Sequence, residues 1–341
     1  MNNPNLSIII PVFNAGSFLQ ETIASITRQQ YNDYEIVIID DGSTDNSLAL
    51  CKNLQQNNHQ IRVFHQENKG VSSARNLGIA KSKGNYLYFM DADDLLHPQF
   101  LEIMMKQILQ NSLIDLVCCT FQTFGNVTNF HNYTNYTVQA IESKDQDIFN
   151  YLMSHSCGVS LGIKIFKKTL LSKYKITFRP GMTYGEDMFV SWKYCLVTQK
   201  AIVIDLPLYY YRLTSNSAVS RYHPKLYETY KASFEEIKKF VFNNHLVPLD
   251  FEKNYTIYFA ERLPALLRME IRAPYTFSQK IKNLKTILED QDIQKGLLHY
   301  ECKSRIYSYA RKKQTLLLFL YGLINDYKQH IKNLLRHILH K

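Results

Sequence analysis

The sequence predicts an α/β fold, a mostly parallel sheet with helices on both faces, followed by a C-terminal helical region. Three observations predict it. Short runs rich in β-branched residues alternate with helical periodicity over the first 90 residues, the pattern of repeated βα units. Two acidic clusters fall just after predicted strands. From Pro224 onward, helical periodicity dominates.

The first predicted strand is 6–12, Leu-Ser-Ile-Ile-Ile-Pro-Val, a buried apolar run. Residues 17–30 place Phe18, Leu19, Ile23 and Ile26 at helical spacing. A second strand over 35–40 leads to a helix over 44–56. A third strand at 61–65 leads to a helix over 72–82, and a fourth strand covers 86–90. Beyond these, 116–122 and 201–205 read as strands, and 146–154 and 186–198 as helices. The helical part comprises 234–242, 251–269 and 277–288, with a domain boundary expected near residue 222.

With 341 residues and 45% hydrophobic content, the chain can bury one sizeable α/β core with an appended region. The six cysteines form no Cys-x-x-Cys pair and no zinc or disulfide spacing, which fits a reducing compartment. Met1 to Asn5 are polar and a strand follows, so the expectation is a cytoplasmic protein without a secretory leader. The formal charge is +10. Residues 301–341 hold nine Lys or Arg against Glu301 and Asp326, a local +7. The basic character belongs to the tail, and no aromatic-basic sheet motif appears, which argues against a nucleic-acid partner.

Ligands of such sheets bind beyond the carboxyl ends of the strands. Asp91-Ala92-Asp93 follows the fourth strand. Carboxylates at i and i+2 can converge on a hard divalent cation, whose remaining positions are filled by water and substrate oxygens. The other reading is a solvated turn, with Asp94 capping a helix that starts at Leu95. Asp40-Asp41-Gly42-Ser43 follows the second strand, either as a turn that caps the next helix or as carboxylates that accept hydrogen bonds from a nucleobase or ribose. Arg75 lies one turn into the helix opened by Gly70 and Ser72-Ser73, where free N–H groups favour an anion or simply cap the helix. Glu186 and Asp187 begin another helix, either to suit its dipole or to supply a general base.

Six motifs occur in order: Ser-Ile-Ile-Ile-Pro-Val-Phe-Asn at 7–14, Ile-Ile-Asp-Asp-Gly-Ser-Thr-Asp at 38–45, Asn-Lys-Gly-Val-Ser-Ser-Ala-Arg-Asn at 68–76, Phe-Met-Asp-Ala-Asp-Asp at 89–94, Gly-Glu-Asp at 185–187, and Tyr-Tyr-Tyr-Arg-Leu-Thr-Ser-Asn-Ser-Ala-Val-Ser at 209–220. Together they resemble family-2 glycosyltransferases of the Rossmann-like GT-A fold, of the type that builds bacterial capsule, lipooligosaccharide or exopolysaccharide. The resemblance covers residues 5 to about 222 and implies a catalytic domain over 1–222, with a nucleotide-sugar half over about 1–95 and an acceptor half over about 96–222. It implies inverting, metal-dependent transfer of a hexose or N-acetylhexosamine from a UDP-sugar to a hydroxyl of a glycan or lipid-linked glycan.

By the same resemblance, Pro11 and Phe13 line the nucleobase pocket, Asp41 contacts uracil with Asp40 beside it, and Arg75 contacts the nucleotide. Asp93 is the direct ligand of Mn²⁺ or Mg²⁺. Asp91, across Ala92, touches ribose or metal-bound water. Asp187 is the base, and Glu186 places the acceptor. Arg212, Ser217 and Ser220 belong to a segment that folds over the donor diphosphate, and His223 is either a further metal ligand or a surface histidine. A nucleotidyltransferase, the competing enzyme class, calls for a Gly-rich, Arg- or Lys-bearing loop where this chain has Pro11-Val12-Phe13-Asn14.

In the 223–341 region, Leu320, Ile324, Tyr327, Ile331, Leu334 and Ile338 recur at helical spacing with Lys328, Lys332 and Arg336 between them. This basic amphipathic helix either lies on an anionic membrane surface, at the inner face of the plasma membrane, or packs on protein, including a second copy in a homo-oligomer. The apolar run over 315–324 is too short to span a bilayer.

Overall fold

The computed structural model describes residues 3–125, 130–142, 148–154, 160–182, 184–213, 223, 225–246, 250–302 and 304–339. The chain divides into two compact units, Met1–Ser217 with Phe240–Pro248, and Ala218–Lys239 with Leu249–Lys341.

The first unit opens with β1 (Leu6–Val12), α1 (Leu19–Thr27), β2 (Tyr34–Asp41), α2 (Ser47–Asn57), β3 (Ile61–Gln66), α3 (Val71–Lys81) and β4 (Tyr86–Phe89). These elements lie within a few residues of their expected bounds. It continues with β5 (Leu95–Leu96), α4 (Phe100–Gln110), β6 (Leu116–Phe124), β7 (Val138–Glu142), α5 (Ile148–Ser154), β8 (Lys164–Lys167), α6 (Lys168–Lys173), α7 (Glu186–Val197) and β9 (Lys200–Arg212). The strands form one sheet in the order β3-β2-β1-β4-β8-β6-β9-β5, and β7 pairs with β9. Pairings β3-β2, β2-β1, β1-β4 and β6-β9 are parallel, while β8 runs antiparallel between β4 and β6. β1 is apolar almost throughout because both of its faces are covered, and Leu6, Ile8, Ile9 and Ile10 have no exposed surface. The register pairs Val12 with Asp40 and Asp40 with His65, so the parallel strands end together along one rim.

Two differences from the sequence expectations matter for the site. No helix begins at Leu95: Asp94 leads into β5, and α4 starts at Phe100 with Gln99 before it. β9 runs to Arg212, where a strand ending at Asp205 was expected, despite Pro207. Proline removes a ladder N–H, and β9 accommodates it by bulging around Pro207, so that Cys118 to Thr120 of β6 lies opposite Val203 to Pro207 of β9. The strand continues past that irregularity and delivers Tyr209 to Arg212 to the rim.

The second unit is helical: most of α8 (Leu226–Asn243), then α9 (Phe251–Glu261), α10 (Leu263–Arg272), α11 (Phe277–Glu289), α12 (Gln291–His299), α13 (Arg305–Arg311) and α14 (Thr315–Leu339). The helix expected over 251–269 is two helices, because Pro264 lacks an N–H and opens a new helix in its first turn.

Candidate active site

At the end of β1, Pro11 pairs with Ile39 and Phe13 stands 50% exposed at the rim. Asn14, at φ 51°, accepts hydrogen bonds on Oδ1 from the Thr44 and Asp45 amides at 2.8 and 3.3 Å, tying the loop after β1 to the loop after β2. Gly42 sits in that second loop at φ +71°, and a Cβ there would come within 2.6 Å of the Asn68 amide nitrogen. Only glycine meets both conditions.

The Asp40-Asp41 pair splits by the alternation of a strand. Asp40 has no exposed surface. Its Oδ2 meets His65 Nδ1 at 2.7 Å, and its Oδ1 is buried without a hydrogen-bond partner. Asp41 accepts from Gln66 Nε2 at 2.7 Å, the Lys69 amide at 2.9 Å and the Gly70 amide at 2.8 Å, which fixes the start of α3. Of its roughly four acceptor sites, one remains.

Arg75 is 5% exposed and organises the centre of the rim. One guanidinium nitrogen donates to Asp91 Oδ1 at 2.8 Å and another to Glu186 Oε1 at 2.7 Å, with the group 5.4 Å from the Phe178 ring centroid. Its Nε is buried without a hydrogen-bond partner. Burial opposes its charge, but Asp91, Glu186 and Asp187 outweigh burial and hold it protonated. Each terminal nitrogen of Arg75 thus gives one of its two N–H groups to a carboxylate. Its neighbours on α3 act alike. Asn76 exchanges two hydrogen bonds with the Phe178 backbone at 2.7 and 2.9 Å, and Ser72 Oγ donates to the Met182 carbonyl at 3.2 Å. One face of α3 thus fastens the segment that leads into α7.

That segment ends at Gly185, φ 80°, which caps α7 in the left-handed region. Glu186 and Asp187 then occupy the first turn, where the helix dipole favours negative charge. Asp187 Oδ1 accepts from the Met188 amide at 2.7 Å. Burial, followed by the Glu186 charge, pushes its carboxyl up to about 7 against the opposing pull of Arg75.

After β4, Thr22 Oγ1 donates to the carbonyls of Ala92 and Asp94 at 2.9 and 3.0 Å and shapes the acidic turn. The Asp91 side chain is 48% exposed. Asp93 is partly buried, and burial together with the Asp91 charge pushes its carboxyl up to about 6. Asp94 is 1% exposed and is no helix cap. It accepts from the Tyr209 hydroxyl and from the Arg212 amide at 2.8 Å, and burial followed by Asp91 and Asp93 raises its carboxyl well above the usual range.

Arg212, at the end of β9, reaches the same turn. Its Nε donates to the Asp93 carbonyl at 2.6 Å, a terminal nitrogen meets Glu21 Oε2 at 2.6 Å, and its guanidinium lies 4.8 and 4.6 Å from the Phe18 and Phe124 rings. It braces the acidic turn. Ser217 and Ser220 lie outside the described residues. His223 belongs to the second unit, with its amide on Met269 Sδ at 3.4 Å.

Sequence reasoning missed Tyr211, Phe178, Asn76 and Ser72. The Tyr211 hydroxyl is pushed up to about 12 by burial and then by the charges of Asp94, Asp91, Asp93 and Asp187. The only sequence signal was its place within the 209–220 motif.

Arg75 faces Asp91 and Glu186, and Arg212 is paired with Glu21 beside Asp93, so acidic groups outnumber cations at the rim. Asp93, whose ionisation is opposed by burial and by Asp91, and the half-exposed Asp91 fit a hard divalent ion of the Mg²⁺ or Mn²⁺ kind. Among the described residues, no group of three or more His, Cys, Asp or Glu could hold a metal unaided. An ion here would complete its shell with water and substrate oxygens.

Comparison with known proteins decides the family. The model for "Glycosyl transferase family 2" matches residues 7–176. Glycosyltransferase GlyG of Streptococcus pneumoniae is 31% identical over 62% of this chain and 72% of its own. The chain belongs to glycosyl transferase family 2. Glycosyltransferase EpsH of Bacillus subtilis is 26% identical over 93% of this family member and 92% of its own length. Among solved structures, Staphylococcus aureus TarS 1–349 in complex with UDP-GlcNAc aligns with TM-score 0.69 and 19% identity over 96% of this chain and 92% of that one. The mannosyltransferase PcManGT of Pyrobaculum calidifontis, in complex with GDP-Man and Mn²⁺, aligns at 0.50 with 16% identity over 96% and 88%. The fold is GT-A, and the chain is a glycosyltransferase.

Proposed function

We propose that this glycosyltransferase moves a hexose or N-acetylhexosamine from a UDP-sugar to a hydroxyl of a glycan or lipid-linked glycan, with inversion, in the synthesis of a surface polysaccharide. The observation that carries the reading is the Arg75 bridge. It joins the acidic turn after β4 to the start of α7, and so draws metal-binding and proton-accepting carboxylates into one site. TarS, of similar fold, binds UDP-GlcNAc, which supports a UDP-linked donor.

In this reading Phe13 offers an exposed ring to the nucleobase, Pro11 lies behind it, and Asp41 keeps one acceptor site for a base N–H. Asp93 and Asp91 hold Mn²⁺ or Mg²⁺, which when bound supplies positive charge to the departing diphosphate. Asp187 takes the proton of the acceptor hydroxyl. The acceptor oxygen bonds to the anomeric carbon as its bond to the UDP oxygen breaks on the opposite face. Glu186, held by Arg75, keeps α7 in place and its negative charge keeps Asp187 basic. General-base help contributes on the order of 10²–10⁴-fold, so alignment of the two substrates supplies much of the remainder.

The test is a donor screen with Mn²⁺ present, following nucleotide release from each UDP-sugar and from GDP-mannose. Release from one or more UDP-sugars, with an inverted anomeric configuration in the product by NMR, is expected. Turnover of GDP-mannose alone would overturn the donor assignment, and a retained anomeric configuration would overturn the role of Asp187.

A further inference from the structure

Helix α14 carries two apolar faces. On one, Leu318, Phe319 and Gly322 are buried as α14 packs against α10, α11 and α13. A Cβ at Gly322 would approach Ile271 Cδ1 within 2.6 Å. On the other, Leu316, Leu317, Leu320, Leu323, Ile324 and Tyr327 stay exposed, Ile324 by 53% and Tyr327 by 67%. At about 100° per residue, these six span an arc of roughly 120° centred opposite the buried face. The periodicity that begins at Leu320, Ile324 and Tyr327 therefore marks the uncovered side of the helix and not its core side. Ile331, Leu334 and Ile338 continue the same spacing in the sequence.

Charge decides what suits this face. Lys312 and Lys313 stand exposed just before α14, and Lys328 stands exposed just past the stripe. Lys332, Arg336 and Lys341 follow in the sequence. Within 315–341 Asp326 is the sole acid, and it is already paired with Arg272 at 2.8 Å. A second copy would bring +7 against +7, whereas an anionic lipid surface complements both the charge and the apolar stripe. Among the described residues no helix is long and apolar enough to cross a membrane, so the helix would lie in the interface plane.

We infer that the exposed face of α14 docks the protein on an anionic bilayer surface, with the Leu/Ile stripe at the acyl boundary, Tyr327 at headgroup level and the lysines on lipid phosphates. This inference is independent of the donor and of the chemistry at the rim.

The experiment is co-sedimentation of the full chain with vesicles of phosphatidylcholine, alone or in equal parts with phosphatidylglycerol, alongside light scattering without lipid. Binding to the mixed vesicles is expected, at least about tenfold weaker to phosphatidylcholine alone and falling as salt rises. Leu320→Ser with Ile324→Ser loses this binding while melting temperature and mass are unchanged. Lys312→Glu with Lys328→Glu, which leaves every apolar contact in place, weakens it by about tenfold or more. Equal binding to the two vesicle types, binding to neither, or a dimer that Leu320→Ser with Ile324→Ser dissociates would each overturn the inference.

Discussion

Arg75 and Glu186 lie 111 positions apart in sequence and meet at 2.7 Å, with side chains 6% and 12% exposed. The same guanidinium holds Asp91 at 2.8 Å. Removing one partner of a buried pair leaves the other charge uncompensated, at a cost of about 3–5 kcal/mol. Arg75→Met is therefore expected to lower the melting temperature and abolish transfer. Arg75→Lys keeps a charge but cannot span both carboxylates with one planar fork. Its fold should survive while kcat/KM drops by roughly tenfold or more. Steady-state kinetics beside a thermal melt separate the two, and wild-type kinetics in Arg75→Lys would remove the bridge from the argument.

Asp187 must be ionised to accept a proton. With its carboxyl pushed up to about 7, kcat/KM should fall as pH drops through that region and level off above it. Asp187→Asn should lose on the order of 10²–10⁴ in rate, retain UDP binding, and lose the acid limb near pH 7, leaving only the lower one set by metal binding at Asp93. A pH–rate profile of both proteins makes the comparison, and near-normal turnover by Asp187→Asn would refute the assignment.

Metal dependence should follow Asp93. Chelation is expected to stop transfer and added Mn²⁺ to restore it, while Asp93→Ala stays inactive at any Mn²⁺ concentration with its fold intact. Protons compete with the metal for a carboxylate raised to about 6, so Mn²⁺ affinity should weaken as pH falls through that value. Calorimetric titration of Mn²⁺ in the presence of UDP at two pH values measures this.

Glu35 predicts a stability effect away from the chemistry. Its side chain is 7% exposed and accepts from Ser7 Oγ at 2.7 Å, Arg62 at 2.7 Å and the Lys83 amide, joining β1, β3 and the approach to β4. Burial opposes its ionisation, but these partners together hold it below the ordinary 4.5. A carboxyl lowered by folding contributes stability above its unfolded value and loses it as pH falls through the folded value. Glu35→Gln should cost about 1–3 kcal/mol at neutral pH. The gap in urea midpoint from the wild type should close as pH drops below about 4.5.

Much of this was legible in the sequence because it is local. The runs Leu6 to Val12 and Tyr34 to Asp41 announce buried strands by composition, and the strand-end rule then locates both acidic clusters. What was not legible depends on partners far along the chain. Nothing near Arg75 signals that its carboxylates are Asp91 and Glu186, and nothing near Arg212 signals Asp93 and Glu21. Both arginines read as anion binders, and the structure adds that each ties together groups far along the chain. Asp94 reads as a helix cap, yet its role is set by Tyr209, 115 residues on. That pairing was hidden because Pro207 reads locally as the end of a strand, and the bulge in β9 around Pro207 lets the strand continue.

The length of β9 has its own consequence. Its last residues are paired with β6 along one edge and with β5 along the other, and the Arg212 amide is claimed by Asp94. Catalytic rims built on loops exchange their amide protons early, through small local openings. Here Tyr209 and Tyr210 lie between β6 and β5, so their stretch of the floor under the acidic turn should be among the slowest parts of the first unit to exchange with solvent deuterium.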